Sequence, residues 1–196
     1  SGSLKVETGA AIVTGTLGKI ALEAAHDLWV DGTLSATAGS IALSLSSGAG
    51  SFQDAADLGK RSIWLGDNAR LLATGAVKPE FSTAGLRKGE VLAGGTVSLD
   101  ASKLGYVVTG SGSIVDVSGT SAVFDITNQK VRSNVVNPAM TVAGNAGSIT
   151  VAARQGAFVD GTMKAASGGI GAAAGSFTMK VDGLPNESDV VNALAG

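Results

Sequence analysis

The residues best suited to chemistry in this chain are its carboxylates. Asp31 and Asp160 each precede a glycine, Asp54 and Asp57 share the stretch FQDAADLGK, and Asp116 and Asp125 lie close together. Polysaccharide hydrolases and lyases need carboxylates, or a basic proton abstractor, converging on one face. The spacing predicts something plainer. Asp31 and Asp160 read as turn residues in equivalent Asp-Gly turns several coils apart. Asp54 and Asp57 read as a solvated corner or a single helical turn. Asp116 alternates with Val115 and Val117 and so points outward from a strand. The single histidine, His26, falls in a polar bend; with no second histidine and no cysteine, the ligands for a metal site are too few. Gly110-Ser111-Gly112-Ser113 lacks the strand-to-helix elbow of a nucleophilic serine. Gly168–Gly175 (GGIGAAAG) lacks the Lys-Ser/Thr of a phosphate loop. No enzyme, metal or cofactor is expected.

Binding is the other chemistry to weigh. Trp64 sits between Ile63 and Leu65, so strand alternation turns it outward, where an indole can stack on a sugar or anchor a partner. With Lys78, Phe81, Arg87 and Lys88 it makes up the candidate partner-binding set. Trp29, Tyr106 and Phe158 are expected in the core.

Composition says which elements hold these residues. The 196-residue chain has 29 Gly, 44% apolar and 15% charged residues. That is too apolar for a disordered tail and long enough for a sizeable core. Gly, Ala, Ser, Thr and Val dominate, which suits short strands and tight turns. A net charge of −2 without a basic block argues against nucleic acid. No apolar run reaches the roughly 18 residues of a membrane helix, so no membrane insertion is expected, and no signal peptide is seen. Cysteine is absent, so disulfides play no part.

The chain repeats itself. Gly18–Gly39 (GKIALEAAHDLWVDGTLSATAG) and Gly147–Gly168 (GSITVAARQGAFVDGTMKAASG) match without a gap at an offset of 129. Further starts are read at Gly39, Ser62, Gly95 and Gly175, giving a period of about 20–22 residues, a spacing found in solenoids. Apolar residues at i and i+2 mark strands, not helices. The fold class expected is all-β: a right-handed parallel β-helix, since parallel crossovers are right-handed. About seven to eight coils at ~4.8 Å make a rod of about 35 Å. Three inward columns are expected: Ile20, Ile63, Val97 and Ile149; Leu22, Leu65, Leu99 and Val151; and Trp29, Leu72, Tyr106 and Phe158. His26, Ala69, Lys103 and Gln155 are expected at an outward bend. Lys78–Gly94 and Thr120–Ala146 break the period and read as loop or hairpin insertions, the usual place for binding. An N-terminal strand or cap region is expected over 1–17, and Ser1-Gly2-Ser3 has the composition expected of an artificial leader on a segment of something longer. The β-helix spans 18–183, and 184–196 is a tail or short helical cap.

The Gly-Ser-x-Ile-x-Leu-type coil starts, the Val-Asp-Gly-Thr segments (Val30–Gly39 and Val159–Gly168) and Ile114-Val115-Asp116-Val117-Ser118-Gly119 resemble the filamentous haemagglutinin family of two-partner secretion exoproteins. The resemblance covers most of Gly18–Val181. It implies a secreted, cell-surface β-helical rod, exported through an outer-membrane transporter partner and serving adhesion or display; lack of cysteine fits export of an unfolded chain. The family's amino-terminal secretion domain carries Asn-Pro-Asn-Leu-type motifs, whereas this chain has only Asn137-Pro138-Ala139 and Pro185-Asn186. The expectation is therefore an internal shaft segment that displays other domains. The alternative is an adhesive module whose insertions bind a host-cell glycan or surface protein, and a polysaccharide-active enzyme ranks third.

Overall fold

The computed structural model describes residues 2–46, 61–80, 82–103, 105–126, 130–131, 134–135 and 137–182. Asp54, Asp57, Phe81 and the expected tail helix lie outside the described residues. No helix occurs among the described residues; the chain is all-β, with parallel strands stacked as in a β-solenoid.

The first coil holds β1 (Leu4–Val6), β2 (Ala11–Thr14) and β3 (Lys19–Ala24). The second holds β4 (Asp27–Val30), β5 (Thr33–Ala36) and β6 (Ser40–Leu45). The third runs β7 (Ser62–Leu65), β8 (Arg70–Leu72), the hairpin β9 (Ala76–Glu80) and β10 (Lys88–Leu92), then β11 (Thr96–Ala101). The fourth runs β12 (Tyr106–Thr109) and β13 (Ile114–Asp116). It continues through an excursion of β14 (Ser121–Asp125), β15 (Lys130–Val131), β16 (Asn134–Val135) and β17 (Ala139–Ala143) to β18 (Ser148–Ala153). The fifth holds β19 (Gly156–Val159), β20 (Thr162–Lys164) and β21 (Ser176–Val181).

These strands form three parallel sheets: sheet A in the order β1-β4-β7-β12-β19, sheet B in the order β2-β5-β8-β13-β20, and sheet C in the order β3-β6-β11-β18-β21. Among the described residues each of these sheets has five strands, where seven to eight coils were expected, so the described stack spans about 20 Å at the ~4.8 Å strand spacing. The excursions absorb the residues that the count had assigned to extra coils. Between the first two coils Ala11 pairs with Thr33 and Lys19 with Ser40.

Alternation within each strand makes the core. In β6, Ile41, Leu43 and Leu45 are buried and the residues between them are not. Each fully buried aliphatic side chain stabilises by about 1.5–3 kcal/mol relative to exposure. The register corrects the expected columns. Ile20 stacks with Ile41, Val97, Ile149 and Phe177 in sheet C. Ile63 belongs instead to sheet A, between Leu28 and Val107, and Leu65 lies between Val30 and Thr109. Ser62 therefore resumes a coil in its first strand and does not open one of the Gly18 type. Every strand carries the same apolar-x-apolar pattern, so spacing alone confuses strands of different sheets. Ala69, expected at an outward bend, is fully buried. The third expected column dissolves: Trp29 pairs with Trp64, which pairs with Val108 and then Phe158, all outward, while Leu72 lies in sheet B between Ser35 and Asp116.

One corner, between sheets B and C, is glycine in all five coils: Gly18, Gly39, Gly95, Gly147 and Gly175. A Cβ on Gly39, Gly95, Gly147 or Gly175 would overlap the carbonyl oxygen of the corner glycine before it. That oxygen accepts a hydrogen bond from the residue after the next glycine: Ser40 at 2.9 Å, Thr96 at 2.9 Å, Ser148 at 3.1 Å and Ser176 at 3.2 Å. A side chain here would wedge two coils apart and break the ladder beside it. Gly147→Ala is expected to lower unfolding free energy by at least about 2 kcal/mol. Gly15→Ala, whose Cβ meets nothing within 4 Å, should change it by less than about 1 kcal/mol. Urea unfolding of both variants checks the contrast, and equal effects would contradict a corner set by close backbone approach.

Candidate functional site

The two excursions leave the rod at the same corner in successive coils and join into one projecting unit. β9 and β10 pair antiparallel, with Lys88 opposite Glu80 and Glu90 opposite Lys78. Opposite charges facing across a hairpin favour this register, and Pro79 is tolerated on β9, whose strand partner among the described residues is β10 alone. β14 pairs antiparallel with β17, and β15 with β16. Gly89 has a φ of 154° and no Cβ, and one placed there would crowd both the Lys78 carbonyl and the ring of Phe124. The ring is buried as a result.

Arg87 completes the joint. Its backbone N–H donates to Asp125 Oδ2 at 2.7 Å, its Nη2 donates to Oδ1 at 2.7 Å, and Asp125 N–H donates back to the Arg87 carbonyl at 2.8 Å. The hydrogen bond from the guanidinium holds the Asp125 carboxyl below its usual range, and the same bond raises Arg87. Beside this joint lies an open recess of about 500 Å³, lined in part by Glu80, Lys88, Glu90 and Val142. Val77, Val123 and Met140 are exposed apolar residues on the same hairpins.

The described candidate binding residues lie in two places. Lys78, Arg87 and Lys88 lie on the first hairpin, and Arg87 is committed to Asp125. Trp64 lies on the outer face of sheet A, away from the corner that carries the hairpins. It is half-buried and stacks on Trp29, with ring centroids 5.0 Å apart and planes 5° from parallel. On its other side its strand neighbour is Val108, which is buried. A sugar needs a free ring face, and the Trp29 ring occupies one face of Trp64. Tyr106, also expected inward, lies on this outer face and tilts against Phe158 at 6.4 Å. Trp29 as the partner of Trp64, and Gly89, Phe124 and Asp125 as the partners of the first hairpin, escaped the sequence reading. The Trp pair was detectable only with the correct 35-residue register (64 − 29) in hand.

The carboxylates are spread along the rod. Asp31 and Asp160 share the corner between sheets A and B in the second and fifth coils. Three coil steps separate them, about 14 Å at the strand spacing, beyond the ~5–9.5 Å of a glycosidase pair. Asp31 binds across coils: it accepts from the Thr8 hydroxyl, from Asn68 N at 3.0 Å and from Asn68 Nδ2 at 3.1 Å. Gly66 leaves the room, since a Cβ there would overlap the Asp31 carboxylate. Asp67 repeats the device one coil on, accepting from Gly112 N at 3.2 Å. Asp116 accepts from Ser118 N at 2.9 Å within its own turn. His26 Nδ1 lies 2.6 Å from Asp27 Oδ2. No group of three or more His, Asp or Glu able to hold a metal occurs among the described residues.

No protein family, curated protein or solved structure matches the chain.

The Thr8 hydroxyl and the Asn68 donors lower the Asp31 pKa below 3.8 in the fold. Its stabilisation is therefore complete above the unfolded pKa of about 3.9 and is lost as pH falls through the lower folded value. Asp31→Asn should cost about 0.5–1 kcal/mol at neutral pH, allowing for solvent screening. Urea titrations of both proteins from neutral to acid pH should show the gap closing; a gap independent of pH would contradict the assignment. For the indoles, the stacked pair should give a far-ultraviolet exciton couplet that disappears in Trp29→Phe and in Trp64→Phe alike. Trp64→Ala should destabilise by about 2 kcal/mol, less than a fully buried aromatic loses.

Proposed function

We propose that this chain is a shaft: a β-solenoid that separates and displays other parts of a larger secreted or cell-surface protein. The observation that supports this most directly is the repetition of one backbone corner through five coils. Such a corner makes every step along the rod geometrically equivalent. A right-handed winding of about 20–22 residues per plain coil belongs to the same reading. So does the resemblance to filamentous haemagglutinin exoproteins, with an outer-membrane transporter as the export partner of the parent protein. On this reading the chain has no catalytic role: its carboxylates act as ties between coils and hairpins.

A second reading is favoured by the joined hairpins. Their recess, the Lys and Glu at its edge and the exposed Val77, Val123 and Met140 suit an adhesive module for a host-cell glycan or surface protein. The test is a glycan-array and host-cell binding assay of the chain beside a variant with residues 77–91 replaced by an Asn-Gly turn. Ala76 and Leu92 pair across the hairpin base, and Asn-Gly suits a two-residue connection. The shaft reading expects no saturable binding by either folded protein. Saturable binding by the parent chain that vanishes in the variant would make the hairpins an adhesive site and retire the shaft as the chain's whole role.

A further inference from the structure

Among the described residues, β9 of the first hairpin pairs with β10 alone, and β17 of the second excursion pairs with β14 alone. The free edges of β9 and β17 differ in kind. β9 carries Lys78, Pro79 and Glu80, all exposed. Charges and a proline are what natural sheets place on an edge to keep other strands away. β17 reads Ala139-Met140-Thr141-Val142-Ala143, with neither charge nor proline, and its first three residues are exposed. Nothing in its side chains opposes an added strand.

The pairing with β14 decides which backbone groups of β17 face outward. Ile126 N–H donates to the Pro138 carbonyl at 3.0 Å, and Gly144 N–H donates to the Thr120 carbonyl at 2.8 Å. Hydrogen-bonded and non-bonded pairs alternate along an antiparallel ladder. The pairs Phe124–Met140 and Ala122–Val142 are therefore the bonded ones between these two. Ala139, Thr141 and Ala143 turn their N–H and C=O groups the other way, toward the free edge. Asp125 agrees with this phase: its N–H leaves the far edge of β14 for the Arg87 carbonyl at 2.8 Å.

This edge is complementary to itself. Antiparallel pairing with the β17 of a second copy, centred on Thr141, sets Thr141 opposite Thr141 and Ala139 opposite Ala143. The outward N–H and C=O groups of those residues then bond to one another. Met140, 52% exposed, comes to lie opposite the second copy's Val142. Threonine pairs and apolar cross-strand pairs stabilise a sheet, and no like charges meet along the strand.

We propose that two copies of this chain associate side by side through β17, making a four-stranded sheet in the order β14-β17-β17-β14 across a two-fold axis. The contact is isologous, so it closes as a dimer and does not propagate. It uses neither end of the rod and holds under either reading of the chain's function.

The test uses the full 196-residue chain in sedimentation velocity and equilibrium over a range of concentrations. A reversible monomer–dimer equilibrium is expected. Thr141→Lys places like charges opposite each other at the two-fold axis, and Thr141→Pro removes an outward N–H that β14 does not use. Each should raise the dimer dissociation constant about tenfold or more. Thr141→Ser keeps the backbone groups and the hydroxyl and should leave that constant within about threefold. Circular dichroism checks that each variant stays folded. A monomer at every concentration would overturn the proposal, and so would growth past the dimer into open oligomers. A dimer indifferent to both Thr141→Lys and Thr141→Pro would overturn it as well, since the contact would then lie elsewhere.

Discussion

The stack depends on one constraint: at the corner between sheets B and C, successive coils come so close that only a hydrogen fits on the α-carbon. The carbonyls of Gly18, Gly39, Gly95 and Gly147 each point at the next coil and take the N–H of the residue that follows the next glycine. That bond fixes the first rung of sheet C in every coil. With the first rung fixed, the six-residue strands β3, β6, β11, β18 and β21 start in phase. Their alternating aliphatic residues then meet in columns. A one-residue slip at this corner would send Ile41, Leu43 and Leu45 to the solvent side together. The close approach thus converts a backbone property into side-chain register.

The same constraint explains where the chain is allowed to wander. Both hairpin excursions start and finish beside this corner, and the rod closes beneath them as though they were missing. Ala76 pairs with Leu92 and Ser121 with Ala143, so each excursion returns to within one strand spacing of where it left. Gly94 then donates to the Asn145 carbonyl and Gly147 to that of Val117, each at 2.8 Å, which ties the re-entry points to the following coil or to the end of sheet B. Loop closure grows only slowly with loop length, so added residues are inexpensive provided the two ends meet. Joining the hairpins to each other through Arg87, Asp125, Gly89 and Phe124 turns two flexible additions into one ordered projection.

Much of this was legible in the sequence, for identifiable reasons. Period-two alternation gave the strands, the Gly-x-Ile-x-Leu starts gave the glycine corner, and loss of period marked both excursions. What failed was the assignment of strands to sheets. Ile63 and Leu65 sit in SIWL, which looks like a coil start because all three inward faces demand the same residues. The number of coils failed with it. Trp29 and Trp64 show the limit most clearly. Trp64 was readable as outward from its own neighbours, but its stacking partner lies 35 positions earlier and in an adjacent coil. Trp29, placed by the wrong column, was assigned to the core. Local pattern determines which way a side chain faces; only register determines what it meets.

Register also bears on what the polar residues are for. An outer face of a solenoid offers long rows of exposed side chains, and catalysis would require several of them to converge on one point. Three of the described carboxylates, Asp31, Asp67 and Asp125, instead meet donors from a neighbouring coil or hairpin. Asp31 collects Thr8 and Asn68 from the coils on either side, Asp67 takes the Gly112 amide of the next coil, and Asp125 takes the guanidinium and amide of a neighbouring hairpin. Bonds of this kind link elements that the aliphatic core already places side by side, and they would be strained by any substrate that drew the carboxylate away. The hairpins also carry exposed apolar side chains, Val77, Val123 and Met140, that have no such duty.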